Sequence, residues 1–191
     1  LTYLEFVRNG ANLDKKEKDI LRKLDEELST LSPQFSNNTL NATNAFELWL
    51  DKGDLDGLPD SIRDSAKVAA KAKDKDDKWL ITGQFPSFAP FLKFSSRRDL
   101  REKVYKAINT KCNGGEFDNT LLCKKISKLK HKRAKVLGYD NYADYVLEER
   151  MAEKQSNIFQ LLDSLYETCI GYAENELKEV TALAKEIDGL D

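Results

Sequence analysis

Apolar residues at Ile20, Leu24, Leu28, Leu31 and Phe35 recur every three or four positions, the period of one helix face. Asp14 and Glu17 flank the start of this stripe with the spacing of a capping box, so a helix is predicted to begin there. Pro33 falls inside the stripe, and a proline in a helix interior costs about 3 kcal/mol, so a kink or short break is expected before the helix resumes toward Leu40. The pattern then changes. Phe46–Leu50 and Trp79–Thr82 are short aromatic and aliphatic runs next to turn-forming or charged residues, and they predict two partners in a small antiparallel sheet. Between them, Leu58-Pro59-Asp60-Ser61 opens a helix through the alanines to about Lys73, followed by a solvated charged loop over Asp74–Lys78.

Beyond the second strand, Pro86 and Pro90 punctuate an aromatic segment carrying Phe85, Phe88, Phe91 and Phe94. Ser96 and Asp99 have the spacing of a helix start, and that helix carries Leu100, Val104, Tyr105 and Ile108 to an end near Cys112. Asn113-Gly114-Gly115 reads as a turn, Asn119 as the cap of the next helix and Gly138 as its C-terminal glycine. Asp140 is expected to cap a short helix with Tyr142, Tyr145 and Val146. The last helix, Gln155 to Ile187, traces one face through Ile158, Leu162, Leu165, Cys169, Tyr172, Val180, Ala184 and Ile187. At 1.5 Å per residue it is roughly 50 Å long, more than a small domain covers, so it lies in a larger body or serves a partner. The fold class is therefore mainly α: a bundle-like helical subdomain with a two-stranded antiparallel element and a long C-terminal helix.

Composition narrows the function classes. With 191 residues, 40% of them hydrophobic and 34% charged, the chain can bury one core and keep solvated outer faces. A net charge of −2 gives no global attraction to nucleic acid or to an acidic membrane surface, and no apolar run approaches the ~20 residues that span a bilayer. The first residue is Leu1 rather than methionine, which suggests a trimmed N-terminus whose missing part would carry any address. Cys112, Cys123 and Cys169 are widely spaced and read as free thiols.

Candidate chemistry is sparse. His131 is the only histidine, and on a helical wheel it lies about 180° from the stripe formed by Leu122, Ile126 and Leu129. A zinc hydrolase needs at least three protein ligands and usually a glutamate base, which the neighbours Lys130 and Lys132 do not supply. A Cys112/Cys123/His131 metal site would lack a fourth ligand and short ligand spacing. Cys123 and His131 are eight residues apart on one helix, about 12 Å axially, too far for a nucleophile–base pair. The lysines and arginine between Lys124 and Lys135 spread around the wheel without interleaved aromatics, which disfavours a nucleic-acid stripe. Arg133 lies on the apolar side and is expected to find a carboxylate partner. The sequons Asn37-Asn38-Thr39 and Asn41-Ala42-Thr43 matter only in a secreted eukaryotic protein.

Several segments resemble the thimet oligopeptidase/peptidyl-dipeptidase family of zinc metallopeptidases, most of all its oligopeptidase A and dipeptidyl carboxypeptidase branch. Leu24–Thr43 is similar to the family helix "L-x-x-L-S-x-x-F-x-x-N-x-L-x-x-T". Leu55-Asp56-Gly57-Leu58-Pro59 resembles its "L-x-G-L-P" turn, Phe85-Pro86-Ser87-Phe88-Ala89-Pro90 its "F-P-S-Y-x-P", and Arg98-Asp99-Leu100-Arg101 its "R-E-L-R". Phe117-Asp118-Asn119, Leu129-Lys130-His131, Leu137-Gly138-Tyr139, Asn141-Tyr142-Ala143 and Tyr145 to Ala152 follow in the family's order. The departures are Pro33, where the family helix is unbroken, and Gly83, where the family has a bulky strand residue.

The resemblance implies a helical body split by a deep channel, with one zinc in the full-length parent held by two histidines and a glutamate. The family's His-Glu-x-x-His is not found in these 191 residues. The expectation is thus a non-catalytic N-terminal part of a cytoplasmic oligopeptidase, spanning 1–191 and walling the channel for short peptides, with no catalytic or metal-binding residue of its own. Phe88 and Arg98 are the candidate wall residues, each also having a structural role open to it: core packing for Phe88, a cap or salt bridge for Arg98. The missing catalytic domain is the expected partner, with no nucleic acid and no membrane, and apolar surface left exposed would drive an artificial dimer. The alternative is a stand-alone helical interaction module that uses the final helix.

Overall fold

The computed structural model describes residues 2–189 and is mainly helical. Helices α1 (Thr2–Arg8) and α2 (Lys15–Ala45) lead into strand β1 (Glu47–Leu50), a 3-10 turn over Lys52–Asp54, α3 (Asp60–Lys71) and strand β2 (Trp79–Thr82). Then follow α4 (Phe85–Phe94), α5 (Arg98–Asn109), α6 (Thr120–Val136), α7 (Tyr142–Leu147) and α8 (Gln155–Asp188). The long final helix and the two-stranded antiparallel sheet are those that the hydrophobic pattern predicts. No helix among the described residues is long and apolar enough to cross a membrane. The chain divides into two compact units, one made of Leu1–Leu21 with His131–Asp191, the other of Arg22–Lys130.

The core of the second unit is built on the sheet. Glu47 pairs with Thr82, Leu48 with Ile81, Trp49 with Leu80 and Leu50 with Trp79. Leu50 and Ile81 join Leu55, Leu58, Ala66, Phe91, Leu100 and Val104 in one buried cluster, with Leu48, Trp79 and Phe88 packed against it. Each fully buried large side chain contributes about 1.5–3 kcal/mol relative to exposure, so this cluster is the main stabilising element of the unit. The Asp74–Lys78 loop is more than a solvated turn. Lys75 sits 4.1 Å from the Trp49 ring centroid and Lys78 pairs with Asp51 at 2.6 Å, so the loop's cations close over the sheet.

Several local expectations need correction. Helix α2 continues through Pro33 without the short break, because one lost amide donor is a small deficit in 31 residues. The segment around Pro86 and Pro90 is a helix, α4: Pro86 lies in the first turn, where its missing N–H has no helical partner to lose, and burial of Phe91 offsets the cost of Pro90. Arg97, not Ser96, stands at the N-cap of α5. Asn141, not Asp140, caps α7, accepting from the Asp144 amide at 3.0 Å. Asn119 is buried and its side chain serves α2 rather than the start of α6. It accepts from Asn38 Nδ2 at 2.9 Å and donates to the Phe35 carbonyl at 3.1 Å and to Thr39 Oγ1 at 3.3 Å. The neighbouring Asp118 takes the capping work, accepting from the Thr120 amide and hydroxyl, and these bonds hold its carboxyl below its ordinary range.

In the first unit the Asp14–Glu17 capping box forms as predicted, with reciprocal bonds of 3.2 and 2.8 Å. Gly138 ends α6 with both bonds of a Schellman motif, Tyr139 N–H to Ala134 O and Gly138 N–H to Lys135 O. Arg8 is the polar centre. Its side chain, only 10% exposed, pairs with Glu148 and with Glu149 at 2.9 Å, donates to the Tyr145 carbonyl at 2.7 Å and lies 4.7 Å from the Tyr145 ring centroid. Arg133 is half-buried, donates to Asn9 Oδ1 at 3.3 Å and also lies over the Tyr145 ring.

Two outcomes follow. A Cβ on Gly83 would stand 2.4 Å from the Thr43 carbonyl oxygen, so Gly83→Ala should cost about 1–3 kcal/mol in urea unfolding; an unchanged midpoint would show that α2 can retreat from β2 at no cost. The Lys73 ammonium hydrogen-bonded to Glu47 holds that carboxyl below its usual value of 4.5. A depressed carboxylate stabilises fully above its unfolded pKa and loses that contribution as pH falls through the folded one. Glu47→Gln should therefore flatten the fall in urea midpoint below pH 4.5, and parallel profiles for the two proteins would contradict this.

Candidate functional site

The candidate site is a groove on the second unit at α4 and α5. Four residues of α5, Arg98, Arg101, Glu102 and Tyr105, share one helical face because they recur at three- and four-residue intervals. With Leu92 of α4 they line an open cavity of about 530 Å3. The opposite face of α5 buries Leu100 and Val104, which fixes the rotation of the helix and turns the polar face outward. The chain reaches α5 through buried Ser95, whose carbonyl accepts a hydrogen bond from the Arg101 guanidinium. Arg97 points elsewhere: it is held by Asp54 and, at 2.8 Å, by Asp99. Glu102 pairs with Lys106 at 2.5 Å, and that hydrogen bond, with a smaller contribution from Arg98, holds its carboxyl below its ordinary range.

The two residues selected from the sequence are placed differently. Arg98 lines the groove and is exposed. Phe88 is half-buried, packs against the core cluster and meets Phe85 edge-to-face at 5.6 Å. Arg101, Tyr105 and Leu92 were not selected from the sequence as site residues; Tyr105, read with the apolar positions Leu100 and Val104 of its helix, instead lies on the groove face and is 60% exposed.

No three His, Cys, Asp or Glu side chains converge as a metal site among the described residues. His131 is exposed, as its wheel position predicts, and Cys112 and Cys123 are free thiols. The donor set does not fit a catalytic zinc, and no chemical step is assigned to these residues.

Residues 91–191 match the model of peptidase family M3. The chain is 34% identical over 188 residues to the organellar oligopeptidase A (chloroplastic/mitochondrial) of Arabidopsis thaliana, covering 95% of this chain and 24% of that protein. It is 33% identical over 193 residues to oligopeptidase A of Escherichia coli strain K12, covering 98% and 28%, and 26% identical over 186 residues to the dipeptidyl carboxypeptidase of the same strain, covering 96% and 27%. The chain belongs to peptidase family M3, and its relatives include proteins named oligopeptidase A and dipeptidyl carboxypeptidase. It spans about a quarter of the length of the curated relatives it matches.

The contrast between the two selected residues is measurable. Phe88→Ala should lower stability by about 2–4 kcal/mol through lost core packing, and Arg98→Ala by no more than about 0.5 kcal/mol. Urea unfolding that showed the reverse order would place Arg98 in the structural framework and Phe88 outside it.

Proposed function

We propose that this chain is the N-terminal helical part, residues 1–191, of a zinc-dependent oligopeptidase or peptidyl-dipeptidase, and that it walls the channel through which short peptides reach the metal. The observation that carries this reading is the match of 98% of the chain to only 28% of the E. coli oligopeptidase A. The single histidine agrees with it, since the zinc ligands and the general base of the parent would then lie in another part of the polypeptide. In this role the chain excludes folded proteins and positions peptides, which raises the rate by orienting the reactant rather than by chemistry. Phe88 and Arg98 are its proposed wall residues. The parent works in the cytoplasm; one Arabidopsis relative is named as a probable cytosolic oligopeptidase A.

The condition of α8 supports the same reading. Phe159, Leu161, Leu162, Leu165, Tyr166 and Tyr172 are each at least half exposed, and Leu177, Val180, Leu183 and Ile187 extend the row. An apolar surface on this scale is a contact surface. In the parent it meets the catalytic part. A stand-alone interaction module would use the same row for another protein, and this second reading stays tied to that observation.

Measurements on the isolated chain and on its gene decide. The chain alone should bind no stoichiometric zinc and cleave no peptide, and in sedimentation it should self-associate with rising concentration through α8. One tightly bound zinc per chain, found by metal analysis, would overturn the non-catalytic reading. The reading frame downstream of Asp191 should encode a His-Glu-x-x-His and a later glutamate; a stop codon, or a continuation without them, would favour the interaction module.

A further inference from the structure

We propose that Asn113 is a site of spontaneous covalent modification, losing its side-chain amide through a succinimide, and that the fold protects the chemically identical pair Asn9-Gly10. The inference is independent of the peptidase reading. The chain holds two Asn-Gly dipeptides, Asn9-Gly10 and Asn113-Gly114, and the structure places them in opposite surroundings.

The reaction needs no partner but water. The Gly114 nitrogen, once its proton is lost, attacks the side-chain carbonyl carbon of Asn113. The N–Cγ bond forms and the Cγ–Nδ2 bond breaks. The amide nitrogen leaves as ammonia, taking the proton that the Gly114 amide gave up. Water then opens the five-membered ring at either of its carbonyls, which leaves an aspartate or an isoaspartate. A following glycine suits this attack because it has no Cβ in the way and adopts backbone angles closed to other residues.

Both dipeptides share that reactivity, so local structure decides between them. At Asn9 the side-chain amide is held at both ends. Its Nδ2 donates to the Glu5 carbonyl at 2.9 Å, and its Oδ1 accepts from the Arg133 guanidinium at 3.3 Å. The Gly10 N–H, which carries the would-be nucleophile, donates to the Val7 carbonyl at 2.9 Å. Gly10 is buried, and a Cβ there would stand 2.7 Å from a Leu21 methyl and 2.9 Å from a Leu13 methyl. Bringing the Gly10 nitrogen onto Asn9 Cγ would break these contacts together, so the reaction there waits for local opening.

Asn113 is exposed and lies between α5 and α6, outside any helix or strand. Among the described residues no hydrogen bond holds its side chain. Gly114 has a φ of +93° and Gly115 of +76°, and a Cβ on either would meet nothing within 4 Å. No packing therefore opposes the rotation that brings nitrogen to carbon. One group restrains the step: the Gly114 N–H donates to Asp118 Oδ1 at 3.1 Å. A carboxylate bonded to that N–H favours the amide that keeps its proton and so depletes the nucleophile. The product puts a second negative charge in the loop that Asp118 staples, where like charges repel.

The test incubates the folded 191-residue chain at neutral pH beside a sample unfolded in guanidinium chloride. Peptide mass mapping and isoaspartate-specific methylation follow each dipeptide. In the folded chain Asn113 should convert at least about tenfold faster than Asn9, the factor imposed by an opening that is populated one-tenth of the time. In guanidinium chloride the two rates should converge. Asp118→Asn, checked for an unchanged melt, should speed conversion at Asn113 about tenfold, the effect of one pKa unit on the Gly114 amide, and leave Asn9 as it was. Gly114→Ala provides a second variant and should slow Asn113 alone.

Equal folded-state rates at the two dipeptides, or a faster Asn9, would overturn the proposal. So would an Asn113 that stays intact in the folded chain while the unfolded chain reacts. A preference for Asn113 that persists undiminished in guanidinium chloride would place the selectivity in the flanking sequence and remove the fold from it. Slower conversion in folded Asp118→Asn would make the carboxylate the base that takes the proton and overturn the restraint assigned to it.

Discussion

At Gly57 the main chain passes so close to the end of α4 that any side chain would strike it: a Cβ there would lie 2.3 Å from the Phe94 carbonyl oxygen. The φ of +78° independently favours glycine. This contact, with the Ser96 amide bonded to the Asp56 carbonyl at 3.0 Å, pins the α4–α5 junction against the turn that precedes α3. The flanking Leu55 and Leu58 enter the same core as Phe91, Leu100 and Val104. The rotation of α5 and the outward aim of Arg98, Arg101 and Tyr105 depend on that close approach. Gly83 does the equivalent for β2 against Thr43 of α2. Both places need the absence of a side chain, so the unit is organised by backbone proximity as much as by apolar burial.

Around this framework the charged residues divide into two kinds. Some are spent on the fold. Lys73 and Lys78 hold carboxylates of the sheet region, Lys67 and Lys75 cover the two tryptophan rings, and Arg8 is engaged by carboxylates, a carbonyl and aromatic faces together. Exposed pairs of this sort contribute roughly 0–1 kcal/mol each, whereas the Arg8 cluster, being largely buried, would leave a costly charge if its partners were removed. Arg98 and Arg101 lie on the outer face of α5 and line the groove, and Arg101 is bonded to the Ser95 carbonyl.

The mostly helical character, the paired strands and the long last helix were legible in periodicity alone, and the family in the order of its short motifs. The Asp14–Glu17 box and the glycine at 138 were legible because capping is local: the partners lie within five residues. Helix α4 was not, because Pro86 and Pro90 read locally as breakers and the burial that outweighs them comes from residues far along the chain. Asn119 was misread for a related reason. Its sequence position suits a cap, but its side chain is taken by α2 some 80 residues earlier, and no local rule contains that competitor.

The sequence by itself determined the element types, the helix ends governed by nearby side chains and membership in the peptidase family. These follow from short-range steric and hydrogen-bonding preferences and from residue identity. Tertiary structure alone decided which face of α5 points outward, which residues line the groove there, and that the apolar row of α8 stays largely exposed. Those properties depend on which distant segments come within a few ångströms, and a one-dimensional pattern of residue types does not contain those distances.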